Sequence, residues 1–192
     1  MCLPQSFYEQ KTIIVAQQLL GKVLVRKIGT SVVSAKIVET EAYLQDDPAS
    51  HSARGITPRC APMFGPAGHA YVYFTYGMYH CFNVVTEKEG YAGAVLIRAV
   101  EPLTGIALMQ KNRGKEKLRD LTSGPAKLCI ALHINKTDNQ KSLLHRKDLY
   151  ILEGPTTIKP KDIIKATRIG ISDAQYLKYR FYIKENSFVS VK

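Results

Sequence analysis

A chain of 192 residues suits one domain with a sizeable core and would leave two full domains cramped. Apolar residues make up 45 %, which excludes a disordered chain. The balance of 27 Lys+Arg against 16 Asp+Glu gives a formal net charge of +11. That excess favours a polyanionic partner, nucleic acid first and an anionic membrane surface second, although a purely solubilising surface charge would read the same way. No apolar run approaches the ~18 residues that span a bilayer, and Met1 to Glu9 lacks the pattern of a signal peptide. Cys2, Cys60, Cys81 and Cys129 are scattered and form no C-x-x-C pair, so free thiols in a reducing compartment are expected.

In chain order, Phe7 to Leu20 reads as a first helix, with Ile13, Ile14, Ala16, Leu19 and Leu20 at roughly helical spacing and Gly21 as a stop. Lys22 to Ile28 and Val32 to Leu44 read as two strands joined by a turn at Gly29-Thr30. Gln45 to Gly68 holds Pro48, Pro58, Pro62 and Pro66, too many prolines for a continuous helix or a central strand, and is expected to be a long irregular, functional loop. Ala70 to Val85 predicts a hairpin that turns around Tyr76-Gly77-Met78. Ala94 to Val100 predicts a further strand, and Pro102 to about Asn112 a helix. Lys111, Arg113, Lys115, Lys117 and Arg119 then predict an exposed basic loop. A short helix follows Ser123-Gly124-Pro125 and runs through His133, with Pro125 in its first turn. Short strands are expected near Leu149–Leu152, Ile163–Thr167 and Tyr179–Ile183. Strands and hairpins dominate. The predicted fold is therefore mixed α+β: a single domain with a curved, mostly antiparallel, open-barrel-like sheet and surrounding helices.

Alternation along a strand would put Val33, Ala35 and Ile37 on one face with Glu39, Glu41 and Tyr43. Such a strand could run from a core into a cleft, or simply leave the core and end in solvent. Tyr71, Tyr73, Tyr76 and Tyr79 crowd one hairpin. Most could be ordinary sheet residues, but Tyr76 falls at the turn, where a ring is better placed to wedge between base pairs than to join a core. Asn83 on the return strand could read a ligand edge or satisfy a strand end. Arg98, between Leu96 and Val100, needs an anionic partner, and Glu41 is available; a plain buried ion pair is the alternative. His51, Cys60, His69, His80 and Cys81 match no common zinc spacing, so no metal and no cofactor are expected. Phosphate-binding glycine loops and G-x-S-x-G nucleophile elbows are also missing from the sequence.

More specific are the segments Ile37-Val-Glu-Thr-Glu-Ala-Tyr43, Ala49-Ser-His51-Ser, Thr57-Pro-Arg59, Met63-Phe-Gly-Pro-Ala-Gly68 and Tyr71-Val-Tyr73-Phe-Thr-Tyr76-Gly-Met78. Asn83, Leu96-Ile-Arg98-Ala-Val-Glu-Pro102, Leu121-Thr-Ser-Gly-Pro-Ala-Lys-Leu128, Ile134-Asn-Lys136, Arg168-Ile-Gly170 and Arg180-Phe181 continue the series. Together, from about Phe7 to Val191, they resemble the alkyladenine (3-methyladenine) DNA glycosylase family. The resemblance implies a metal-free, monofunctional enzyme that excises damaged purines from double-stranded DNA. It implies Glu41 as the general base that activates water, with Arg98 helping to hold that water and Glu41. It implies that Tyr43 and His51 stack on one face of a flipped base and Tyr73 on the other, and that the His51 N–H reads the base edge. Tyr76 would fill the gap left in the duplex, and Asn83 would crowd out the 2-amino group of guanine. Ile171 to Lys178 follows the family pattern poorly, and Phe188 stands where many members carry Trp. Both lie outside the motifs assigned to the pocket and are expected to bear on packing or DNA contacts rather than on chemistry. A monomer is expected, in the cytoplasm at a bacterial nucleoid, or in a nucleus if the source is eukaryotic.

Two other classes fit parts of the sequence. A non-catalytic nucleic-acid-binding module explains the charge and the tyrosines, but not a carboxylate and an arginine brought beside an aromatic cluster. A nucleoside hydrolase would need neither the charge nor the wedge.

Overall fold

The computed structural model describes residues 1–191. Two short helices, α1 (Gln5–Tyr8) and α2 (Thr12–Gln18), precede an antiparallel pair, β1 (Val23–Ile28) and β2 (Ser31–Leu44). The pair is closed by Gly29 in the left-handed region at φ 59°. The proline-rich segment makes turns and one 3-10 turn, Ala61–Phe64, before the hairpin of β3 (Ala70–Thr75) and β4 (Tyr79–Val85). Then come β5 (Gly93–Thr104), helices α3 (Ile106–Arg113), α4 (Arg119–Thr122) and α5 (Pro125–Ala131), and strands β6 (Leu149–Leu152), β7 (Ile163–Ala166) and β8 (Arg180–Ile183).

One antiparallel sheet holds all eight strands: six follow the order β3-β4-β5-β2-β1-β6, and the sheet forks at β2, where β8 joins and carries β7. β2 is 14 residues long. One of its edges carries β5 along nearly its whole length, while the other is shared. Ser31 to Lys36 pair with β1, and Glu39 to Glu41 pair with β8, which itself carries β7. A strand that serves two neighbours on one edge must bend between them, so the sheet curls into a half-barrel with the helices packed around it. The predicted mixed α+β fold is what forms.

The main core joins α1 and α2 (Tyr8, Val15, Ala16) with Leu24, Val33, Ala35, Ile37, Phe82, Val95, Ile97 and, from α4 and α5, Leu121 and Leu128. A smaller cluster of Cys60, Met63, Tyr71, Val85, Ala92 and Ala94 lies under the proline-rich segment. That segment is therefore packed, which explains how so irregular a stretch holds a defined shape.

Three predicted elements differ from the structure. The single helix Phe7–Leu20 is broken into α1 and α2. The Glu87 carboxylate Oε1 accepts both the Thr12 backbone N–H at 2.6 Å and the Thr12 hydroxyl at 2.9 Å. A carboxylate on the first N–H groups starts a new helix there, satisfying donors that a continuous helix would have used internally. The helix predicted from Pro102 begins later, because β5 continues its ladder to Thr104 opposite Ser34. Gly105, at φ 70°, then turns the chain into α3. A side chain could not sit there: a Cβ on Gly105 would lie 2.5 Å from a Val33 methyl and 2.8 Å from the Val32 carbonyl. The basic stretch is correspondingly not one loop. Lys111 and Arg113 occupy the last turn of α3, where they face the negative end of its dipole, and Arg119 opens α4.

Glu87→Ala removes the carboxylate that caps α2. It should destabilise the fold by about 1–2 kcal/mol, a fall of a few degrees in Tm by calorimetry. An unchanged Tm would mean that the helix break has another cause.

Candidate active site

The site is built where β2 and β5 lose register. Ile37 lies opposite Val100 and Glu39 opposite Ala99, which leaves Val38 as an extra residue on β2. Immediately afterwards Thr40 lies opposite Ile97, which leaves Arg98 as an extra residue on β5. Two bulges one pair apart restore the register while turning the side chains over. This corrects the shared face expected from simple alternation. Val33, Ala35 and Ile37 belong to the core, but beyond Val38 the core positions are Thr40 and Ala42. Glu39, Glu41 and Tyr43 therefore face the opposite side. Likewise Arg98 shares its side with Leu96, which lines the cavity there, while Val100 joins the core.

That other side is a cavity of about 500 Å³, large enough for a purine-sized ligand. Glu41, Tyr43, His51, Tyr73, Tyr76, Asn83 and Arg98 all line it, so every site residue expected from the sequence converges on one place. No helix among the described residues is long and apolar enough to cross a membrane.

Glu41 is wholly buried. Its Oε2 accepts the Tyr43 hydroxyl at 2.9 Å and its Oε1 the backbone N–H of Ile169 at 2.9 Å. The Arg98 guanidinium stands 3.5 Å away. Burial pushes the proton affinity of Glu41 above the usual carboxylate range; Arg98, the Ile169 N–H and Tyr43 oppose the shift, and nearby Glu39 adds to it. A carboxylate raised toward neutrality and fixed at both oxygens is a better proton acceptor than an exposed one. Burial and the neighbouring Glu41 carboxylate likewise keep the Tyr43 phenol protonated.

Tyr71, Tyr73 and His51 form the aromatic wall. Tyr71 and Tyr73 tilt against each other with centroids 5.3 Å apart, and the His51 Nδ1 lies 2.8 Å from the Tyr71 hydroxyl. His51 sits exposed at the rim, yet its ring packs edge-on against Tyr73 at 4.6 Å. Loss of solvation, followed by the Arg59 charge, pushes the imidazole down to about 4. Two rings at 4.6 Å leave no room for a base between them, since a sandwiched ring needs about 7 Å, two layers of van der Waals contact. Asn83 is buried, and its Nδ2 donates to the Tyr71 carbonyl at 3.0 Å, which fixes the amide. Tyr76 is 81 % exposed at the hairpin turn, where it and Gly77 take positive φ of 51° and 66°. Three residues, Tyr76 to Met78, join the paired Thr75 and Tyr79, and the Met78 N–H donates back to the Thr75 carbonyl at 3.3 Å, a tight turn that leaves the Tyr76 ring outside the sheet.

Several site residues escaped the sequence reading. Arg168 is buried and makes a bidentate pair with Asp47, donates to the Ala42 carbonyl at 3.0 Å, and lies over the Tyr43 ring at 4.7 Å. It thus clamps the proline-rich segment onto β2 and backs one wall of the cavity. Arg59, from the same segment, also lines the cavity and lies over the Tyr73 ring at 5.0 Å. Arg168-Ile-Gly170 was visible as a motif, but only the fold aims the Ile169 N–H at Glu41. Ile171, Ser172 and Asp173 also line the cavity. The poorly matching stretch from Ile171 therefore begins in the cavity lining and does not serve packing or DNA contacts alone, because the chain passes the cavity after Ile169 has bonded to Glu41.

The histidines and cysteines do not gather: among the described residues no group of three or more His, Cys, Asp or Glu could hold a metal. His69 bonds the Pro66 carbonyl and Cys60 the Thr57 turn.

Two outcomes follow from this geometry. Asp47→Ala strands a buried guanidinium and should cost about 3–5 kcal/mol in urea unfolding; a loss below 1 kcal/mol would mean that Arg168 relaxes to solvent. The His51 ring should titrate near 4 by NMR. In the unfolded chain it binds its proton near 6.5, so its contribution to stability is complete above that pH and is lost as the pH falls toward 4. A His51 titration at or above 6.5 would contradict the desolvated ring.

The family model for "Methylpurine-DNA glycosylase (MPG)" matches residues 6–187. A protein of Carboxydothermus hydrogenoformans named "Putative 3-methyladenine DNA glycosylase" is 52 % identical over 192 residues, all of both chains. Like-named proteins of Francisella tularensis subsp. tularensis (strain SCHU S4) and Methanoculleus marisnigri are 53 % and 47 % identical, over 98 % and 99 % of each chain. With the match spanning nearly the whole length, the chain belongs to the methylpurine-DNA glycosylase family, whose members hydrolyse N-glycosyl bonds.

Proposed function

We propose that the chain, as one domain and as a monomer, flips alkylated or deaminated purines out of double-stranded DNA and hydrolyses their N-glycosyl bond, acting in the cell compartment that holds the chromosome. The observation that carries this reading is Glu41: a wholly buried carboxylate lining a purine-sized, aromatic-walled cavity and held by Tyr43 and Ile169.

Cleavage of an N-glycosyl bond develops an oxocarbenium-like sugar, and water must arrive on the face opposite the departing base. Glu41 takes the proton from that water, and its negative charge stabilises the sugar cation. Arg98, at 3.5 Å from Glu41, helps to orient the water. A purine alkylated at N3 or N7 is cationic, stacks well on electron-rich rings and leaves readily. Tyr43, His51 and Tyr73 supply those rings; the base enters by turning the His51 ring off its edge contact with Tyr73. Asn83, fixed by its bond to Tyr71, crowds the 2-amino group of normal guanine. Tyr76 fills the gap in the duplex and offsets unstacking, which costs a few kcal/mol. Among the described residues no lysine lines the cavity, which favours attack by water over a Schiff base and hence an intact abasic strand as product.

Glu41→Gln should abolish base release from an alkylated duplex, by about 10²-fold or more, while leaving lesion binding largely intact; near-normal single-turnover rates would remove Glu41 from the general-base role. Tyr76→Ala should slow a paired lesion more than the same lesion in a single strand. An equal loss on both would make Tyr76 a packing residue and put the wedge elsewhere.

A further inference from the structure

Arg98 is an arginine between two buried carboxylates that touches neither closely. Its NH1 lies 3.5 Å from both oxygens of Glu41. Its Nε lies 3.6 Å from Glu39 Oε1 and 3.3 Å from the Ser190 hydroxyl. The fully buried arginines behave differently: Arg180 reaches Glu39 at 2.8 Å and Arg168 grips Asp47 with both terminal nitrogens. A guanidinium in a desolvated site ordinarily closes onto a carboxylate as a fork.

The gap has a visible cause. Each carboxylate is already pinned by shorter bonds from elsewhere. Glu39 accepts Arg180 NH1 at 2.8 Å and the Ser190 backbone N–H at 2.7 Å. Glu41 accepts Ile169 N–H and the Tyr43 hydroxyl, both at 2.9 Å. Neither carboxylate can swing toward Arg98, and Arg98 is attracted by both. Its anchor lies at the bulge in β5, which also limits its approach to Glu41.

We propose that Glu39 is a positioning residue which, together with Ser190, holds Arg98 off Glu41 and so keeps the Glu41 carboxylate open to water. The inference rests on Glu41 being the general base. Without the Glu39 charge the guanidinium is drawn wholly to Glu41 and closes onto it. Water then loses access to the carboxylate, and the full cation beside it makes Glu41 a weaker base. The other groups that face Glu41 are Tyr43 on its own strand, Cys81 on β4, and Arg168 beyond Tyr43. None of them changes in this substitution.

The test is the single-turnover rate of base release from a duplex carrying 7-methylguanine, measured against pH on the intact chain. Kd for the same duplex and the concentration of active sites are measured alongside. Glu39→Gln should lower the rate about tenfold with Kd unchanged. It should also move the acid limb of the profile to lower pH, since removal of a nearby negative charge and the approach of Arg98 both loosen the proton on Glu41. Glu39→Asp, which keeps the charge, should leave the limb at the wild-type pH even if it lowers the Tm. A purely structural Glu39 would give fewer active molecules with the wild-type limb and rate, and that result would overturn the proposal. If Glu39→Gln does not fold, Ser190→Ala decides. It keeps both carboxylates and removes only the hydroxyl that receives the Arg98 Nε. It should shift rate and limb in the same direction by a smaller amount; wild-type values would overturn the proposal. Retained activity in Glu41→Gln would instead sink the general-base reading itself, so the two failures are distinct.

Discussion

Two carboxylates, Glu39 and Glu41, stand two residues apart on one strand and are both wholly buried. Charges of that kind are tolerated only with partners, and much of the molecule is placed to supply them. β8 runs beside this part of β2 and brings Arg180 opposite Glu41 in the ladder, where its side chain reaches Glu39. The segment after β7 brings the Ile169 N–H, and residues near 190 bring a second backbone donor. The fork of the sheet at β2 is what allows these elements to arrive. Had β1 paired along the whole of β2, that edge would have been closed by a ladder.

The same region joins the core to the cavity. Two bulges one pair apart turn the faces of β2 and β5 over, so that the odd-numbered positions of β2 serve the core as far as Ile37 and the opposite side from Glu39 onward. Alternation by itself would have aimed either the carboxylates into the core or the core residues into the site. A bulge costs a ladder bond but re-aims a whole strand end. Arg98 owes its position to being the bulged residue.

The cavity wall is held by charge as well as by packing. Arg168 and Asp47 tie the proline-rich segment to β2, and Arg59 stacks its guanidinium over the Tyr73 ring. The irregular segment can therefore present His51 at the rim with only turns and one 3-10 turn of its own. The chain as a whole carries a formal net charge of +11, which suits a polyanionic partner engaged over several phosphates.

Strand order in the hairpins, the turn at Tyr76-Gly77 and the class of fold were legible in the residues, because alternation and turn chemistry are local. The break between α1 and α2 was not, because its cause, Glu87, lies 75 residues from Thr12. Nor was the start of α3, which Pro102 seemed to mark: strand pairing with Ser34 carried β5 past it. For the site, motif resemblance named Glu41, Tyr43, His51, Tyr73, Tyr76, Asn83 and Arg98, and the fold gathered all seven around one cavity. It also placed Arg168, Asp47, Glu39 and Ile171 to Asp173 there or directly behind it, through contacts between segments far apart in the chain. Residue identity determined which groups could act as base, cation and aromatic wall. Their aim was decided by bulges, edge sharing and long-range hydrogen bonds, which exist only once strands from both halves of the chain lie side by side.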